Sequence, residues 1–282
     1  MVNQVFTAII PKRWKVHFLL LLATIVMLYP LLWMVSSSVK PELEIFKNSS
    51  LIPSEFTLRH YTNGWTALQT PFTRFYINSF IIVTLAVVGN VLTSSITAYA
   101  FARLNFKFKR MSFTFMMMTL MLPFHVTLVP RYIMFNELDW INTILPLVVP
   151  HFMATEAFFV FLNVQFIRGI PKELDEAAAV DGASKWQIFT RIIFPLSQPA
   201  LITTAIFSFI FTWNDFLSQL LYLNQTELFT VPLALRQFVS AMDQSSFGQL
   251  FAMSTLAQIP VLLFFIFGQK HIVQGITTTG FK

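Results

Sequence analysis

Long apolar stretches separated by short polar segments dominate this sequence. Runs without Asp, Glu, Lys or Arg occupy residues 16–39, 75–102, 111–130, 192–214 and 244–269, and a sixth run, 140–167, is interrupted only by Glu156. Each run is long enough to cross a bilayer as a helix, which takes about 20 apolar residues. The pattern predicts a single transmembrane domain over residues 1–282 with six spanning helices, at about 17–39, 77–102, 111–129, 142–167, 199–223 and 250–269.

The composition is that of a membrane protein rather than a water-soluble globule. Of the 282 residues, 55% are hydrophobic and only 11% are charged, whereas soluble domains carry about 25% charged residues. The chain has no cysteine, so disulfides and thiolate metal sites are excluded. Its five histidines never occur in an H-x-x-x-H pattern, and no metal site is expected. We therefore predict an all-α integral membrane protein without a bound metal.

The positions of Lys and Arg predict how the chain is oriented. If the amino terminus is cytoplasmic, thirteen of the 19 Lys and Arg residues lie in inner segments and six in outer segments. The positive-inside rule favours this arrangement, so both termini are expected in the cytoplasm. A cleaved signal peptide over residues 12–39 is the rival interpretation, but the run exceeds a signal-peptide core. No basic face with interleaved aromatic residues lies outside the apolar runs, so no nucleic-acid partner is expected.

The inner segment between the fourth and fifth spans, residues 168–198, carries the most specific local signals. Pro171 suits the first turn of a helix, and the acidic residues that follow it suit the positive end of the helix dipole. Gly182 suits the left-handed residue that ends a helix, and Ser184 with Gln187 has capping-box spacing. The segment is expected to form a helix, a turn and a second helix that Pro195 and Pro199 terminate.

Small and acidic side chains characterise the first of these two helices. Leu174, Ala177, Ala178 and Asp181 recur at the spacing of one helix face, and Glu176 points largely the other way. Alanines let the backbone of a partner protein approach closely, and an exposed carboxylate can pair with a basic residue there. An amphipathic connector lying on the lipid surface explains the same residues equally well.

The order of residues in this segment resembles the EAA signature of permease subunits of bacterial ATP-binding-cassette (ABC) importers. Similarity to the carbohydrate permeases of the maltose-system, MalG-like type extends along nearly the whole chain. The signature comprises Glu176-Ala177-Ala178, Asp181-Gly182-Ala183, Ile193, Pro195 and Pro199-Ala200-Leu201. The wider similarity comprises Tyr29-Pro30-Leu31-Leu32-Trp33, Asn78-Ser79, Ala98-Tyr99-Ala100 with Arg103, Trp213-Asn214-Asp215-Phe216 and Gln274-Gly275. Phe194 departs from the pattern, because Leu is commoner there.

The resemblance implies a type I ABC importer permease in the bacterial cytoplasmic (inner) membrane. In such permeases this segment is a coupling helix seated in a cleft of the ATPase subunit. Glu176 would pair there with a basic residue, Ala177 and Ala178 would pack closely, and Gly182 would form the turn. Asp181 belongs to the same set of coupling residues. The implied partners are a second homologous permease subunit, two ATPase subunits that bind ATP and Mg, an external solute-binding protein and membrane lipid. The chain itself lacks the phosphate-loop pattern G-x-x-x-x-G-K-[ST], so it is expected to hold no cofactor.

Two ionisable residues lie inside the predicted spans, where a charge costs at least ~2.5 kcal/mol on the insertion scale. These are Glu156 and Asp215, and they are expected to face protein or water. Trp213 and Asn214 beside Asp215 add an aromatic ring and an amide, the groups that recognise hydroxylated substrates. All four residues are candidates for the substrate pathway. For Trp213, Asn214 and Asp215 the alternative is helix–helix contact with the partner subunit or a position nearer the outer interface. For Glu156 the alternative is a carboxyl group capped by a neighbouring hydroxyl or amide.

The expected function is ATP-driven import of a sugar or oligosaccharide by alternating access, with no covalent chemistry in this chain. A permease for glycerol phosphate or another small polar solute is the alternative. An ion-coupled secondary transporter that binds its driving ion at Asp215 and Glu156 is less favoured, because no internal repeat is visible. An intramembrane enzyme is disfavoured because the chain lacks H-E-x-x-H and G-x-S-x-G motifs.

Overall fold

The computed structural model describes residues 14–240 and 247–277, which form helices and turns without a β-strand. The predicted all-α fold class is therefore confirmed for the described part of the chain. The helices are α1 (Trp14–Ser37), α2 (Arg59–Thr66), α3 (Phe72–Arg103), α4 (Lys109–Thr119), α5 (Phe124–Glu137), α6 (Leu145–Val148), α7 (Ala157–Gly169), α8 (Glu173–Val180), α9 (Lys185–Leu196), α10 (Gln198–Trp213), α11 (Leu217–Tyr222), α12 (Val231–Ser240) and α13 (Phe247–Thr277).

Four helical segments are individually long and apolar enough to cross a membrane. They are Trp14–Ser37, Phe72–Arg103, Leu145–Gly169 and Phe247–Lys270, with lengths of 24, 32, 25 and 24 residues. Two further pairs of helices meet the same criterion when each pair is taken together, α4 with α5 and α9 with α10. The described residues therefore provide four candidate spans, or six if each bent pair crosses once.

The bends fall where proline interrupts the apolar runs. The third run, expected as one helix over 111–129, is divided into α4 and α5, which meet at 102°. Pro123 precedes α5 with an extended backbone, because a proline has no N–H to continue the helical ladder and disfavours helix in the residue before it. Pro146 and Pro150 lie in α6 and the 3₁₀ turn that precede α7, so the predicted break at the start of the fourth span is confirmed.

Contacts group the chain into two compact units. Among the described residues, one unit contains 14–68 with 238–240 and 247–256, and the other contains 69–237 with 257–277. Within the first unit, the Glu42 carboxylate accepts a 2.8 Å hydrogen bond from the backbone N–H of Phe247, at the start of α13. The buried Lys40 ammonium donates to the carbonyl of Asn48 at 3.0 Å. The single domain expected over residues 1–282 stays a prediction.

The second unit is organised around α3, which packs against α7 and α10. Its small residues are largely buried, as expected for a helix that contacts protein more than lipid: Gly89, Ser94, Ser95 and Ala98. At Gly89 a Cβ atom would come within 2.9 Å of the Phe152 ring, so the close approach there depends on glycine. Small residues allow membrane helices to approach closely because lipid provides little hydrophobic drive for their association.

A single buried amide joins the three helices of this core. Asn163 on α7 donates to the Ser94 hydroxyl on α3 at 3.2 Å and to the Thr204 hydroxyl on α10 at 3.0 Å. It also donates to the Phe159 carbonyl one turn earlier at 2.9 Å. Asn163 is fully buried, so its amide replaces the hydrogen bonds that water would otherwise make with both hydroxyls.

Replacing Asn163 with Ala should loosen the packing of α3, α7 and α10. The Ser94 and Thr204 hydroxyls would lose their buried donor, and we expect a loss of roughly 1–2 kcal/mol in the free energy of unfolding. The measurement is the melting temperature of the purified protein in mild detergent. Asn136→Ala, on an exposed face of α5, is the control and should change stability by less than about 0.5 kcal/mol. Equal melting temperatures for the two variants would contradict the role assigned to Asn163.

Candidate functional site

A cavity of about 580 Å³ opens within the second unit, between α5, the α6–α7 break and the end of α10. Three of the four predicted pathway residues line it, namely Glu156, Asn214 and Asp215. Glu156 immediately precedes α7, and Asn214 and Asp215 follow the last turn of α10. Helix ends leave backbone polar groups unpaired, so the helix breaks here add polar groups to a lining that is otherwise mostly apolar.

The two carboxylates of the cavity differ in their local contacts, since only one of them accepts a hydrogen bond from the protein. Asp215 accepts a 3.1 Å hydrogen bond from the backbone N–H of Ser218, which holds it at the start of α11. The Glu156 carboxylate makes neither a hydrogen bond nor an ion pair with any residue that the structure describes. The side-chain amide of Asn214 donates a hydrogen bond to the carbonyl of Ile210, at 2.8 Å. The Glu156 carboxylate is therefore available to bind a solute in the cavity. The side-chain carbonyl oxygen of Asn214 is likewise available as a hydrogen-bond acceptor.

Trp213 is separated from this cavity although it adjoins Asn214 in sequence. Its side chain is 3% exposed and does not line the cavity. The indole Nε1 donates to the carbonyl of Ala257 at 3.1 Å, and the ring stacks on Phe209 with a centroid separation of 5.6 Å. The structure thus places Trp213 in the packing between α10 and α13, whereas the sequence predicted it on the pathway surface.

Sequence reasoning missed most of the cavity lining. Arg131 contributes a cation, and its guanidinium carbon lies 5.7 Å from the centroid of the Phe124 ring. Trp140, Tyr222 and His151 add aromatic surface and further polar atoms. Arg131 is the first charged residue after the third apolar run. This position could have identified it as a candidate for the cavity lining. The other three carry no pattern that distinguishes them from interfacial aromatic residues.

The second candidate site is the α8–α9 segment, residues 171–198, whose turn forms as predicted. Gly182 has a φ of +82°, a left-handed conformation that glycine adopts without strain. The N–H of Ala183 bonds to the carbonyl of Ala178 at 2.9 Å, and that of Gly182 to the carbonyl of Ala179 at 3.1 Å. These two bonds form the Schellman motif that terminates α8. Ser184 and Gln187 form the reciprocal capping box expected at the start of α9.

The second helix of this segment does not end at Pro195, which corrects the sequence prediction. It continues to Leu196 and then meets α10 at an angle of 73°. Residues Phe189–Ile193 form a π-helical turn, closed by the N–H of Phe194 bonding to the carbonyl of Phe189. This i to i+5 register ends just before Pro195, so the proline starts a new turn, where a missing N–H costs little.

The end of α3 anchors the α8–α9 segment. The Nε of Arg103 lies 2.8 Å from the Oδ2 of Asp175 on α8, and its Nη2 donates to the carbonyl of Ile170 at 2.6 Å. One helical turn earlier, the Tyr99 hydroxyl donates to the carbonyl of Lys185 on α9 at 3.0 Å. Burial raises the pKa of the Asp175 carboxyl, and the charge of Arg103 opposes that shift. The ion pair therefore fixes α8 against the core.

The opposite side of α8 faces outward. Four of the five predicted coupling residues are exposed, and the fifth, Ala178, is half-buried against the apolar cluster beneath the segment. The exposed four are Glu176, Ala177, Asp181 and Gly182. Large apolar side chains are exposed beside them, with Val180 at 88% and Trp186 at 61%. The exposed Val180 and Trp186 are the feature of this surface that indicates a protein interface, because large apolar and aromatic side chains are concentrated at such sites.

Comparison with known proteins agrees with this architecture. Residues 90–278 match the family model described as binding-protein-dependent transport system inner membrane component. The chain is 34% identical to the probable ABC transporter permease protein YurM of Bacillus subtilis (strain 168), over 95% of this chain and 87% of that protein. It is 33% identical to the trehalose/maltose transport system permease protein MalG of Thermococcus litoralis, over 93% of this chain and 94% of that protein.

The fold also matches a solved structure, that of a bacterial ABC transporter involved in the import of the acidic polysaccharide alginate. The TM-score is 0.82 with 19% sequence identity, covering 95% of this chain and 97% of that one. The fold is thus that of a type I ABC importer permease. The chain belongs to the family of binding-protein-dependent transport system inner membrane components, so it is a multi-pass transport subunit of the inner membrane.

The anchoring role of Asp175 can be tested by Asp175→Asn. The Arg103 side chain is only 4% exposed, and it would lose its one carboxylate partner among the described residues. We expect the free energy of unfolding to fall by about 2 kcal/mol, and amide hydrogen exchange in α8 to accelerate. Glu173→Gln removes an exposed acid from the same helix and should cost less than about 1 kcal/mol. A melting temperature no lower than that of Glu173→Gln would refute the anchor.

Proposed function

We propose that this chain is one of two membrane subunits of an ATP-driven importer of a neutral sugar or oligosaccharide. The observation that carries this proposal is the cavity in which Glu156, Asp215 and Asn214 face aromatic side chains. Carboxylates and amides accept hydrogen bonds from sugar hydroxyls, and aromatic rings pack against the apolar faces of sugar rings. The name of the trehalose/maltose relative supports the same substrate class.

The charge of the cavity favours a neutral solute over an anionic one. Its lining contains two carboxylates, Glu156 and Asp215, and one permanent cation, Arg131. A phosphate ester entering this cavity would meet a like-charge excess, which is costly where water is scarce. Glycerol phosphate is therefore the weaker alternative. An ion-coupled carrier is weaker still, because the family described above consists of components of binding-protein-dependent transport systems.

The α8–α9 segment is the proposed contact with a separate ATPase. Glu176 would pair with a basic residue of that subunit, and Ala177 with Gly182 would allow its surface to approach closely. ATP and Mg²⁺ would bind to the ATPase, and the expected assembly contains two ATPases, this chain, a second permease subunit and an external solute-binding protein. Under this proposal the segment and both termini face the cytoplasm, as the Lys and Arg distribution predicts.

One rigid helix connects the two sites in this proposal. Ile82 on α3 lines the cavity, while Tyr99 and Arg103 at the end of the same helix hold the α8–α9 segment. At 1.5 Å per residue, the helix between Ile82 and Arg103 is about 30 Å long. A displacement of α8 by the ATPase would be delivered to the wall of the cavity through this helix. Under this proposal, alternating access requires no flexible linker between the ATPase contact and the cavity.

Glu176→Lys tests the contact with the ATPase. Glu176 is exposed and makes no hydrogen bond or ion pair through its side chain with the described residues, so the variant should insert and fold normally. A charge-assisted pair contributes about 1.5–3 kcal/mol, so we expect roughly tenfold less ATPase to co-purify. Glu173→Lys makes the same charge change on the same helix and should retain the ATPase. If Glu176→Lys co-purifies with as much ATPase as the wild type does, Glu176 is not part of the interface.

Asp215→Asn tests the cavity and its charge preference together. The measurement is ATP-dependent uptake of radiolabelled trehalose, maltose, longer oligosaccharides and glycerol 3-phosphate by the complete transporter in proteoliposomes. For the sugar that the wild type transports, we expect roughly a tenfold loss, because a charged acceptor is replaced by a neutral one. Glu137→Gln, an exposed acid outside the cavity, is the control.

An increase in uptake by Asp215→Asn would identify glycerol 3-phosphate as the substrate. If the wild type carries glycerol 3-phosphate, removing a carboxylate should raise its uptake, because a like-charge repulsion has been removed. Unchanged transport of every solute by Asp215→Asn would mean that this cavity is not part of the pathway. Normal co-purification of the ATPase with the variant separates that outcome from a failure of assembly.

A further inference from the structure

A second pocket, which shares no lining residue with the cavity, lies where α3 and α7 end and α4 begins. Its volume is about 450 Å³, and it is lined by Phe101, Asn105, Lys109, Arg110, Phe113, Thr114 and Arg168. Three of these seven residues are cationic at neutral pH and none is acidic. We name it the basic pocket. None of its residues belongs to the proposed pathway or to the α8–α9 segment.

The aromatic floor of the basic pocket orients one of its cations. The rings of Phe101 and Phe113 meet edge to face, with centroids 5.3 Å apart. The guanidinium carbon of Arg168 lies 5.5 Å from the centroid of the Phe113 ring. Such a contact positions a guanidinium over the ring while its N–H groups stay free to bind an anion. The ammonium of Lys109 is held by the carbonyl of Leu104 at 2.7 Å.

The positive charge of the basic pocket is not neutralised within the protein. Among the residues that the structure describes, no carboxylate lies within 4.0 Å of Lys109, Arg110 or Arg168. The nearby acid Asp175 is already paired with Arg103. Arg168 and Lys172 both repel the Lys109 ammonium. Clustered cations of this kind are unfavourable unless an anion joins them, so the pocket is electrostatically suited to a phosphate group.

The chain segment that carries Lys109 and Arg110 also exposes large apolar side chains. Phe106 and Phe108 on the loop before α4, and Met111 and Phe115 on α4, are all exposed. Phe115 lies inside the third apolar run, and the cations Lys109 and Arg110 immediately precede that run. Phosphate-binding groups therefore adjoin a surface of the kind that contacts acyl chains. A soluble phosphate compound would use only the first of these features, whereas an anionic phospholipid would use both.

We propose that the basic pocket binds the phosphate headgroup of an anionic phospholipid, with Arg110 and Arg168 as its principal donors and the Phe106–Phe115 surface against the acyl chains. Arginine is suited to this role because its planar guanidinium can make paired hydrogen bonds to phosphate oxygens. The bound lipid would neutralise the cations beside α8. It would also tie the ends of α4 and α7 together at the membrane boundary.

The test uses the complete transporter reconstituted in nanodiscs of phosphatidylethanolamine with phosphatidylglycerol. Native mass spectrometry after gentle extraction counts the phosphatidylglycerol molecules that stay bound. Arg110→Gln is the primary variant because Arg110 is exposed and makes no ion pair among the described residues, so folding should be unaffected. A basic residue near the membrane surface contributes about 1 kcal/mol, so we expect roughly fivefold weaker retention. Arg110→Gln combined with Arg168→Gln should weaken retention by roughly 25-fold.

Lys107→Gln is the matched control, since Lys107 lies in the same basic stretch but does not line the pocket. It should retain phosphatidylglycerol as the wild type does. An equal loss from Lys107→Gln and Arg110→Gln would overturn the proposal in favour of general surface attraction. Displacement of the lipid by inorganic phosphate alone would identify a site for a soluble phosphate compound instead. Loss of ATPase co-purification by Arg110→Gln, with lipid retention unchanged, would identify a protein contact and equally overturn the proposal.

Discussion

The arrangement of the second unit depends on polar contacts buried among otherwise apolar helices. Asn163 joins α7 to Ser94 on α3 and to Thr204 on α10, and Asn90 on α3 donates to Ser208 on α10 at 2.8 Å. Apolar side chains alone would specify this packing weakly, because lipid solvates them as well as another helix does. Amide-to-hydroxyl bonds have a defined geometry, and they select one register among many that apolar surfaces would allow.

Helix α3 owes its position to this network, and the rest of the unit is built on α3. Its buried small residues allow α7 and α10 to approach, and its final turn holds the α8–α9 segment through Tyr99 and Arg103. The same helix contributes Ile82 to the wall of the polar cavity. The two surfaces with functional chemistry therefore share a single structural member. Substitutions that displace α3 are therefore expected to affect both surfaces.

Charged side chains are paired at one site of this unit, the contact between α3 and α8, and have no ion-pair partner at two others, the cavity and the basic pocket. Arg103 and Asp175 are paired with each other and serve the fold. Glu156 in the cavity and Arg110 at the basic pocket have no ion-pair partner among the described residues. Leaving a charge without a partner near apolar surface carries a free-energy cost, which a bound ligand of suitable chemistry can offset. The unpaired groups have opposite signs, so the two surfaces select different ligands.

The local sequence determined those features whose bonds close within a few residues. Gly182 ends α8 and the Ser184–Gln187 box starts α9, because both motifs are formed by neighbouring residues alone. The apolar runs likewise predicted helices, since the bilayer length sets how many apolar residues a span requires. Resemblance in the EAA stretch identified the family for a related reason, because its residues all lie within one short stretch of the chain, residues 176–201.

Only the tertiary structure decided which side chains converge. Arg131, Glu156 and Asp215 come from three separate parts of the chain to line the cavity, while Trp213, two positions before Asp215, lies in the packing between α10 and α13. Pro123 lies in the break between α4 and α5, but nothing in the sequence indicated the angles of 102° and 73° at which the paired helices meet. Neighbours along a helix point in directions about 100° apart. Membership of a site therefore depends on rotation and packing, which adjacency in the chain does not encode.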